Sequence, residues 1–468
     1  MSIINVDSKP AFYSSLGRRV RKQGGHSPQV KFAKSYFSQV PLPELQQKSW
    51  EAVVGVVHSS WIFFKKFNGV KPKVRVFNPS IKQHGFETGK TVIEVAAINL
   101  PFLLDSIQIC LNSESLILSE VQQCMLSVLR SGSKTLVVED EQPNETLIHL
   151  EVQRVTNLSH VERAIRKVLS LVHQVNKDFV PMRQQMLMWS DEVGNDPQLD
   201  SHEEEIAAFL RWLYDNNYTF LGYEEYELGK EAGDIQRVNG VSLGLCRKHL
   251  VVNGTPVRAS GRNRYQLIVG KLSERSVIHR GVYCDTISII RPGEVAGTRR
   301  ACRFIGLFTS TVFNQNPIEI PVVRKKIQYI FKKGELSASS HKGRELSRIV
   351  EIFPREELLI ATKDELADMV LSSLALQERR VVRLLVRRSP GFVSCLLYMP
   401  RDTYNTLLRI KIQDLLSTKF SATEYEFATY FSESSLIRTQ FILQVAPDSH
   451  KSIDLVQLEA EITHLTRS

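Results

Sequence analysis

The stretch TVIEVAAINLPFLLDSI, Thr91 to Ile107, decides how this chain folds. Its first half, Thr91 to Ile98, is rich in β-branched and small apolar residues, the composition of a buried strand. Pro101 carries the φ that a first helical turn wants. Leu103, Leu104, Ile107 and Leu111 then recur at helical spacing. The chain therefore crosses from sheet to helix at Asn99 to Pro101.

Outward from this crossing, the pattern predicts an α+β, multidomain protein. Upstream, Leu45, Trp50, Val53, Val54, Val57, Trp61 and Phe64 mark an amphipathic helix over Pro41 to Phe67, followed by a strand at Val74 to Phe77. Downstream, Glu120 to Val138 and Glu145 to Val155 read as β-structure. A long helix then carries Val161, Ile165, Val168, Val172, Val175 and Phe179 as one apolar stripe. SDEVGNDPQLDSHEEE, Ser190 to Glu205, is polar and turn-rich, as a linker is. Beyond it, five strands are expected (Thr219 to Leu228, Leu243 to Val252, Tyr265 to Lys271, Tyr283 to Arg291, Arg303 to Val312). Helices over Pro321 to Lys333, His341 to Val350 and Lys363 to Leu376 follow, giving a mainly antiparallel, PAS-like sheet with a helical flank. A last unit pairs Arg379 to Arg388 with Phe392 to Pro400 over the turn sequence SPG. A helix capped by Asp402, two strands (Glu424 to Ser432, Leu436 to Val445) and a helix from Ile453 complete it.

At 468 residues the chain calls for about two to four domains. The expected division is a basic, disordered arm at 1–40, a first domain at 41–189, a linker at 190–205, a β-rich middle domain at 206–378 and a last domain at 379–468. Of the net charge of +10, six charges sit in residues 1–40, where seven Lys or Arg face only Asp7. A solvated tail explains that excess. No apolar run approaches the roughly 20 residues of a membrane span, and no signal-peptide pattern opens the chain. The six cysteines, Cys110, Cys124, Cys246, Cys284, Cys302 and Cys395, show neither CxxC nor zinc-ligand spacing. They read as reduced, buried residues of a cytoplasmic protein.

Three segments carry a resemblance. NLPFLLDSI with its preceding strand resembles the opening of the first ACT-like domain of the large bacterial NAD-specific glutamate dehydrogenases. FLRWLYDNNYTFLGYEEYEL, Phe209 to Leu228, resembles the same family. So does the run from LQERRVVRLLVRR, Leu376 to Arg388, through FVSCLLYMPRDTYNTLLRIKIQDLL, Phe392 to Leu416. The resemblance implies ACT-like (ferredoxin-like) first and third domains flanking the middle sheet. It also implies a regulatory or assembly role, a homo-oligomeric parent and an amino-acid effector at the strand-to-helix turn. That turn is Ala97, Ile98, Asn99 and Leu100, with Asp105 and Ser106 on the first helical turns. The sequence departs from the family by having Ile98 and Asn99 where an acidic pair is common, and by lacking its His-Pro step. LEAEITHLTRS stops inside an amphipathic pattern, so the chain reads as a fragment or truncated product of a longer protein.

The residues themselves argue against catalysis within this chain. A dinucleotide site needs GxGxxG between a strand and a helix. NGVSLG, VVNGTPVRASG and RPGEVAG lack that spacing and read as turns. No Walker, HExxH, GxSxG or kinase signature occurs. The expected cofactor count is therefore none, with NAD belonging to the rest of the parent enzyme. His279, Arg280, Tyr283 and Asp285 read as turn and strand pairing, and Ser339 or Ser340 as a helix cap. RKKIQYIFKK (Arg324 to Lys333) and RRVVRLLVRR (Arg379 to Arg388) read as an amphipathic helix and a half-buried strand. Two rival functions stand beside the regulatory segment. One is a stand-alone amino-acid-binding regulator. The other, a nucleic-acid-binding protein with a basic arm, lacks an RNP-type aromatic signature.

Overall fold

A computed structural model describes residues 4–131, 134–138, 142–229, 235–248, 264–293, 297–376, 379–431, 435–446 and 453–466. Two compact units emerge, one of residues 1–177 with 276–282, the other of 178–275 with 283–468.

The first unit opens with helices α1 (Lys9–Lys22), α2 (Ser27–Tyr36), α3 (Leu42–Gln46) and α4 (Trp50–Lys65). The disordered arm expected at 1–40 is thus corrected. Ser8 caps α1, and Phe12, Leu16, Val20, Phe32, Ala33 and Tyr36 are buried in one core with Trp50, Val53 and Phe64. Charge count misled because the Lys and Arg residues occupy only the outer faces, while the apolar residues between them keep helical spacing. The single helix expected over Pro41 to Phe67 is interrupted, since Ser49 starts α4 afresh by accepting from the Ala52 amide.

Next come β1 (Lys73–Phe77), α5 (Ile81–His84), β2 (Thr91–Ile98), α6 (Leu103–Ser113), β3 (Leu118–Ser131), β4 (Lys134–Val138), β5 (Glu145–Val152) and the start of α7 (Leu158–Gly194). The five strands form an antiparallel sheet in the order β1-β2-β5-β3-β4. Strand β2 matches its expected bounds, and its side chains from Thr91 to Ala97 are all buried. The expected stripe of α7 is buried from Val161 to Val175.

The second unit holds the rest of α7, which continues through Pro181 to Gly194. The expected linker at 190–205 therefore shrinks. Asp200 and Glu203 form a capping box that starts α8 (Ser201–Trp212). Strands β6 (Tyr218–Leu228), β7 (Ile235–Arg237), β8 (Leu243–Gly244), β9 (Gln266–Arg275), β10 (Tyr283–Pro292) and β11 (Arg299–Phe308) follow. Their sheet is antiparallel, in the order β7-β6-β11-β10-β9, with β8 beside β6. The expected strand at Leu243 to Val252 keeps only β8 before a 3-10 turn, and its end lies outside the described residues, as does the VVNGTPVRASG stretch. Strand β11 sits four residues earlier than expected because Arg300 and Arg303 pair with Glu225 and Glu224 of β6, and a helix starts at Ser310.

Helices α9 (Ser310–Asn314), α10 (Val323–Lys333), α11 (His341–Ile352), α12 (Arg355–Ile360) and α13 (Lys363–Leu376) flank this sheet in sequence. The final elements are β12 (Arg383–Ser389), β13 (Phe392–Pro400), α14 (Thr406–Phe420), β14 (Glu424–Tyr430), β15 (Leu436–Gln444) and α15 (Leu455–Leu465), with sheet order β12-β13-β15-β14. Asn405, not Asp402, caps α14, accepting from the Leu408 amide at 2.9 Å, while Asp402 meets Arg380. The first and last sheets share one plan. Each has a leading edge strand (β1, β12), a strand leading to a helix (β2, β13), then a strand that pairs at one side with the last (β3 with β5, β14 with β15). That is a ferredoxin-like arrangement whose edge strand precedes the first crossing instead of closing the chain.

Candidate effector turn

The turn after β2 is built from the backbone upward. Ala97 and Ile98 end the strand in register with Thr146 and Glu145 of β5, and Ala97 is buried. Asn99 donates its amide to the Asn144 carbonyl (2.9 Å) and its side-chain Nδ2 to the Pro143 carbonyl (3.2 Å). Leu100 and Pro101 carry the chain outward. The helix begins at Leu103, two residues after the expected Pro101, because Phe102 takes a left-handed conformation (φ 70°) that no helix continues through.

This start leaves the amides of Leu103, Leu104 and Asp105 without carbonyls from their own helix, as at any helix start. Ser106 supplies the next step, its amide donating to the Phe102 carbonyl and its hydroxyl donating to the same oxygen. The Ser106 hydroxyl also accepts from the His279 amide at 3.3 Å. His279 belongs to the 276–282 segment of this unit, packs its ring 4.7 Å from that of Phe102, and brings Nδ1 to 3.5 Å from Asp105 Oδ2. From α7, Asn176 donates to the Pro101 carbonyl (3.3 Å). Asp105 and Ser106 thus come together with His279 around the helix start. Ala97 and Ile98 contribute only ladder backbone, and Asn99 ties the turn to the β4–β5 connection.

The expected grouping of His279 with Asp285 does not form a pair. His279 faces Asp105, whereas Asp285 receives Lys271 Nζ (3.1 Å) and the Phe308 amide (3.0 Å) in the other unit. Ser340 caps α11 as expected, accepting from the Gly343 amide. The basic face expected of Arg324 to Lys333 is partly consumed, since Arg324 binds Glu205 and Lys326 donates to the carbonyls of Leu358, Leu359 and Ala361. Burial, with the nearby Arg387 charge, brings Lys326 down to about 7.

Sequence reasoning missed a second constellation. Glu94 of β2 and His149 of β5 are buried on adjacent strands, with His149 Nδ1 3.1 Å from Glu94 Oε1. Glu94 also accepts from the Ser60 hydroxyl (2.5 Å) and from Arg75 Nε (2.7 Å). Burial alone lowers the affinity of the His149 ring for a proton, yet Glu151 and Glu94 raise it to about 9. Burial pushes Glu94 up, but the His149 hydrogen bond and the Arg75 charge hold it below the usual carboxylate range. The available signal was a lone acid inside an otherwise apolar strand, TVIEVAAI, facing a lone histidine inside TLIHLEV. With Ser60 and Arg75 from α4 and β1 closing around it, the group locks the helical layer to the sheet.

All the strand pairs described are antiparallel. A dinucleotide fold needs a parallel β-α-β crossover with a glycine-rich turn before the helix. Among the described residues no such crossover is present. Among them, no helix is long and apolar enough to cross a membrane, and no three His, Cys, Asp or Glu residues are placed to hold a metal ion.

Comparison with known proteins matches three family descriptions. Residues 32–168 match "Glutamate dehydrogenase, ACT1 domain", residues 320–379 match "helical motif 1" and residues 383–468 match "ACT2 domain" of the same enzyme family. The NAD-specific glutamate dehydrogenase of Pseudomonas aeruginosa is 35% identical over 498 aligned residues, spanning 100% of this chain and 30% of that protein. That of Halomonas elongata is 35% identical over 465 residues, with 93% of this chain and 29% of the relative covered. The Mycobacterium tuberculosis protein of the same name is 26% identical over 75% of this chain and 22% of its own length. The chain thus spans less than a third of the length of these relatives. It belongs to the NAD-specific glutamate dehydrogenase family and carries that family's N-terminal, ACT-domain-bearing region.

Proposed function

We propose that this chain is a non-catalytic regulatory and assembly segment of an NAD-specific glutamate dehydrogenase, and that an amino acid binds at the turn between β2 and α6. The parent reaction is the NAD-dependent oxidative deamination of L-glutamate to 2-oxoglutarate and ammonia, with NAD held elsewhere in the parent protein. The observation that carries this reading is the shared plan of the first and last sheets, each with a strand-to-helix turn, in regions that match ACT descriptions. The order of the middle sheet, with β6 beside β7 and β11 and with β9 at the far edge, supports its reading as a PAS-like, sensor-shaped domain.

At the first turn, the unpaired amides of α6 and the positive end of its dipole suit a carboxylate. Asp105 suits the ammonium group of the same ligand. Thermal unfolding of the purified chain with each common amino acid tests the reading. A stabilising amino acid, together with no glutamate-dependent NAD reduction, is the expected outcome. Turnover lost on substitution of a residue of this chain would overturn it.

A further inference from the structure

Two residues of the first unit hold left-handed backbone and lean on each other. Phe102 (φ 70°), just before α6, and His279 (φ 69°), in the turn between β9 and β10, bring their rings to 4.7 Å. Such backbone is disfavoured for residues other than glycine, and it persists where the surroundings fix it, often at switch regions. Here one side chain fixes both. The buried Ser106 hydroxyl donates to the Phe102 carbonyl at 2.5 Å and accepts from the His279 amide at 3.3 Å. Next to it in sequence, Asp105 Oδ2 lies 3.5 Å from His279 Nδ1.

The turn that Ser106 holds is closed by its own hydrogen bonds. The Ser276 amide donates to the Val282 carbonyl (2.8 Å), and the Ser276 hydroxyl and the Arg280 amide both donate to the Ile278 carbonyl (2.6 and 2.9 Å). Ser276 and Ile278 are buried, and Gly281 packs against Ile109 farther along α6. Ser276–Val282 counts with the first unit, although β9 and β10 on either side of it belong to the second. The strand residues that flank it are Arg275 and Tyr283, paired in the ladder with the guanidinium 4.3 Å over the ring. Both bind β14 of the last sheet. Arg275 pairs with Glu424 and Glu426, and the Tyr283 hydroxyl donates to Glu424 at 2.9 Å.

We infer that Ser106 is a latch that ties the start of α6 to the β9–β10 turn, so that a change at the α6 start is passed to Arg275, Tyr283 and the β14 acids they hold. A turn closed on itself moves as one body, and this one is joined to a strand at each end. It either follows α6 or parts from it, and both motions reach the strand ends. The latch rests on this geometry, whereas the direction in which a ligand drives it rests on the effector reading above. An ammonium group that takes Asp105 takes it from His279, so ligand binding loosens the turn. Such coupling is reciprocal.

Hydrogen exchange of the full chain, read by mass spectrometry, tests the latch. Ser106→Ala removes both hydroxyl bonds and suits a helix. It is expected to speed exchange of the Ser276–Val282 amides by about tenfold, and that of β14 by a smaller factor. Arg275→Ala, a partly exposed change outside the first unit, is expected to speed exchange in the first turn of α6. In both variants β5 is expected to keep its wild-type exchange, and if Ser106→Ala disturbs β5 as well, Arg275→Ala decides alone. Unchanged exchange at Ser276–Val282 in Ser106→Ala, a change confined to that turn, or an α6 start indifferent to Arg275→Ala would each overturn the latch. An amino acid that stabilises the chain is expected to speed exchange of the same turn, and one that leaves the turn as protected as before would overturn the stated direction. If no amino acid stabilises the chain, the effector reading fails, and the two variants still decide the latch.

Discussion

His149 and Glu94 meet at 3.1 Å across neighbouring strands of the first sheet, both buried, with Ser60 and Arg75 completing the shell around the carboxylate. The pair joins the two central strands to the helical layer above them. Its protonation is therefore a stability term for the whole first unit.

That term has a sign. His149 binds its proton more tightly when folded, near 9 against 6.5 for a free side chain. The stabilisation is fully present below about pH 6.5 and is lost as pH rises through 9. Glu94 and Glu151 are held low, so theirs is lost as pH falls below the ordinary carboxylate range. Denaturant unfolding at pH 6 and pH 9.5 should differ by on the order of 3 kcal/mol. His149→Gln should flatten that slope, and an unchanged slope would remove His149 from the account.

Glu94→Ala should be more damaging than a typical core truncation. It leaves the Arg75 guanidinium and the His149 ring beside a void, and breaking a buried ion pair costs about 3 to 5 kcal/mol. Chemical denaturation of the variant checks this, and a loss under about 1 kcal/mol would mean water reaches the site.

Removing residues 1–40 should sharply lower the melting temperature of the first unit. Phe12, Leu16 and Phe32 are fully buried against Trp50 and Phe64, and Phe32→Ala alone should cost about 3 to 5 kcal/mol. A truncated chain that melts like the full one would restore the unstructured arm.

In the second unit, Arg387 of β12 donates to Glu357 of α12 at 2.5 and 3.1 Å, both buried. Arg387→Leu should cost about 3 to 5 kcal/mol by stranding the carboxylate. The paired change Arg387→Leu with Glu357→Leu should recover much of it, a coupling that a double-mutant cycle reads.

Periodicity made the sheets and helices legible. Strand β2, strand β13 and helix α13 keep their expected bounds because their apolar spacing is unambiguous. The N-terminal helices were obscured by charges that cover only one face. The bounds of β11 depended on Arg300 and Arg303 finding acids in β6, which lies about 75 residues away in sequence; local pattern carries no trace of that. At the turn, proline chemistry placed the crossing correctly but the helix start two residues early. Left-handed Phe102 is set by tertiary packing against His279.

The central claim, that this segment senses an amino acid at the α6 turn, is tested most directly by melting the full chain with each common amino acid in excess. A ligand at a hundredfold over its dissociation constant should stabilise by about 2 to 3 kcal/mol. Asp105→Ala, an exposed change, should cancel most of that gain and leave the unliganded melt in place. No stabilisation by any amino acid, or a gain that survives Asp105→Ala undiminished, would contradict the account.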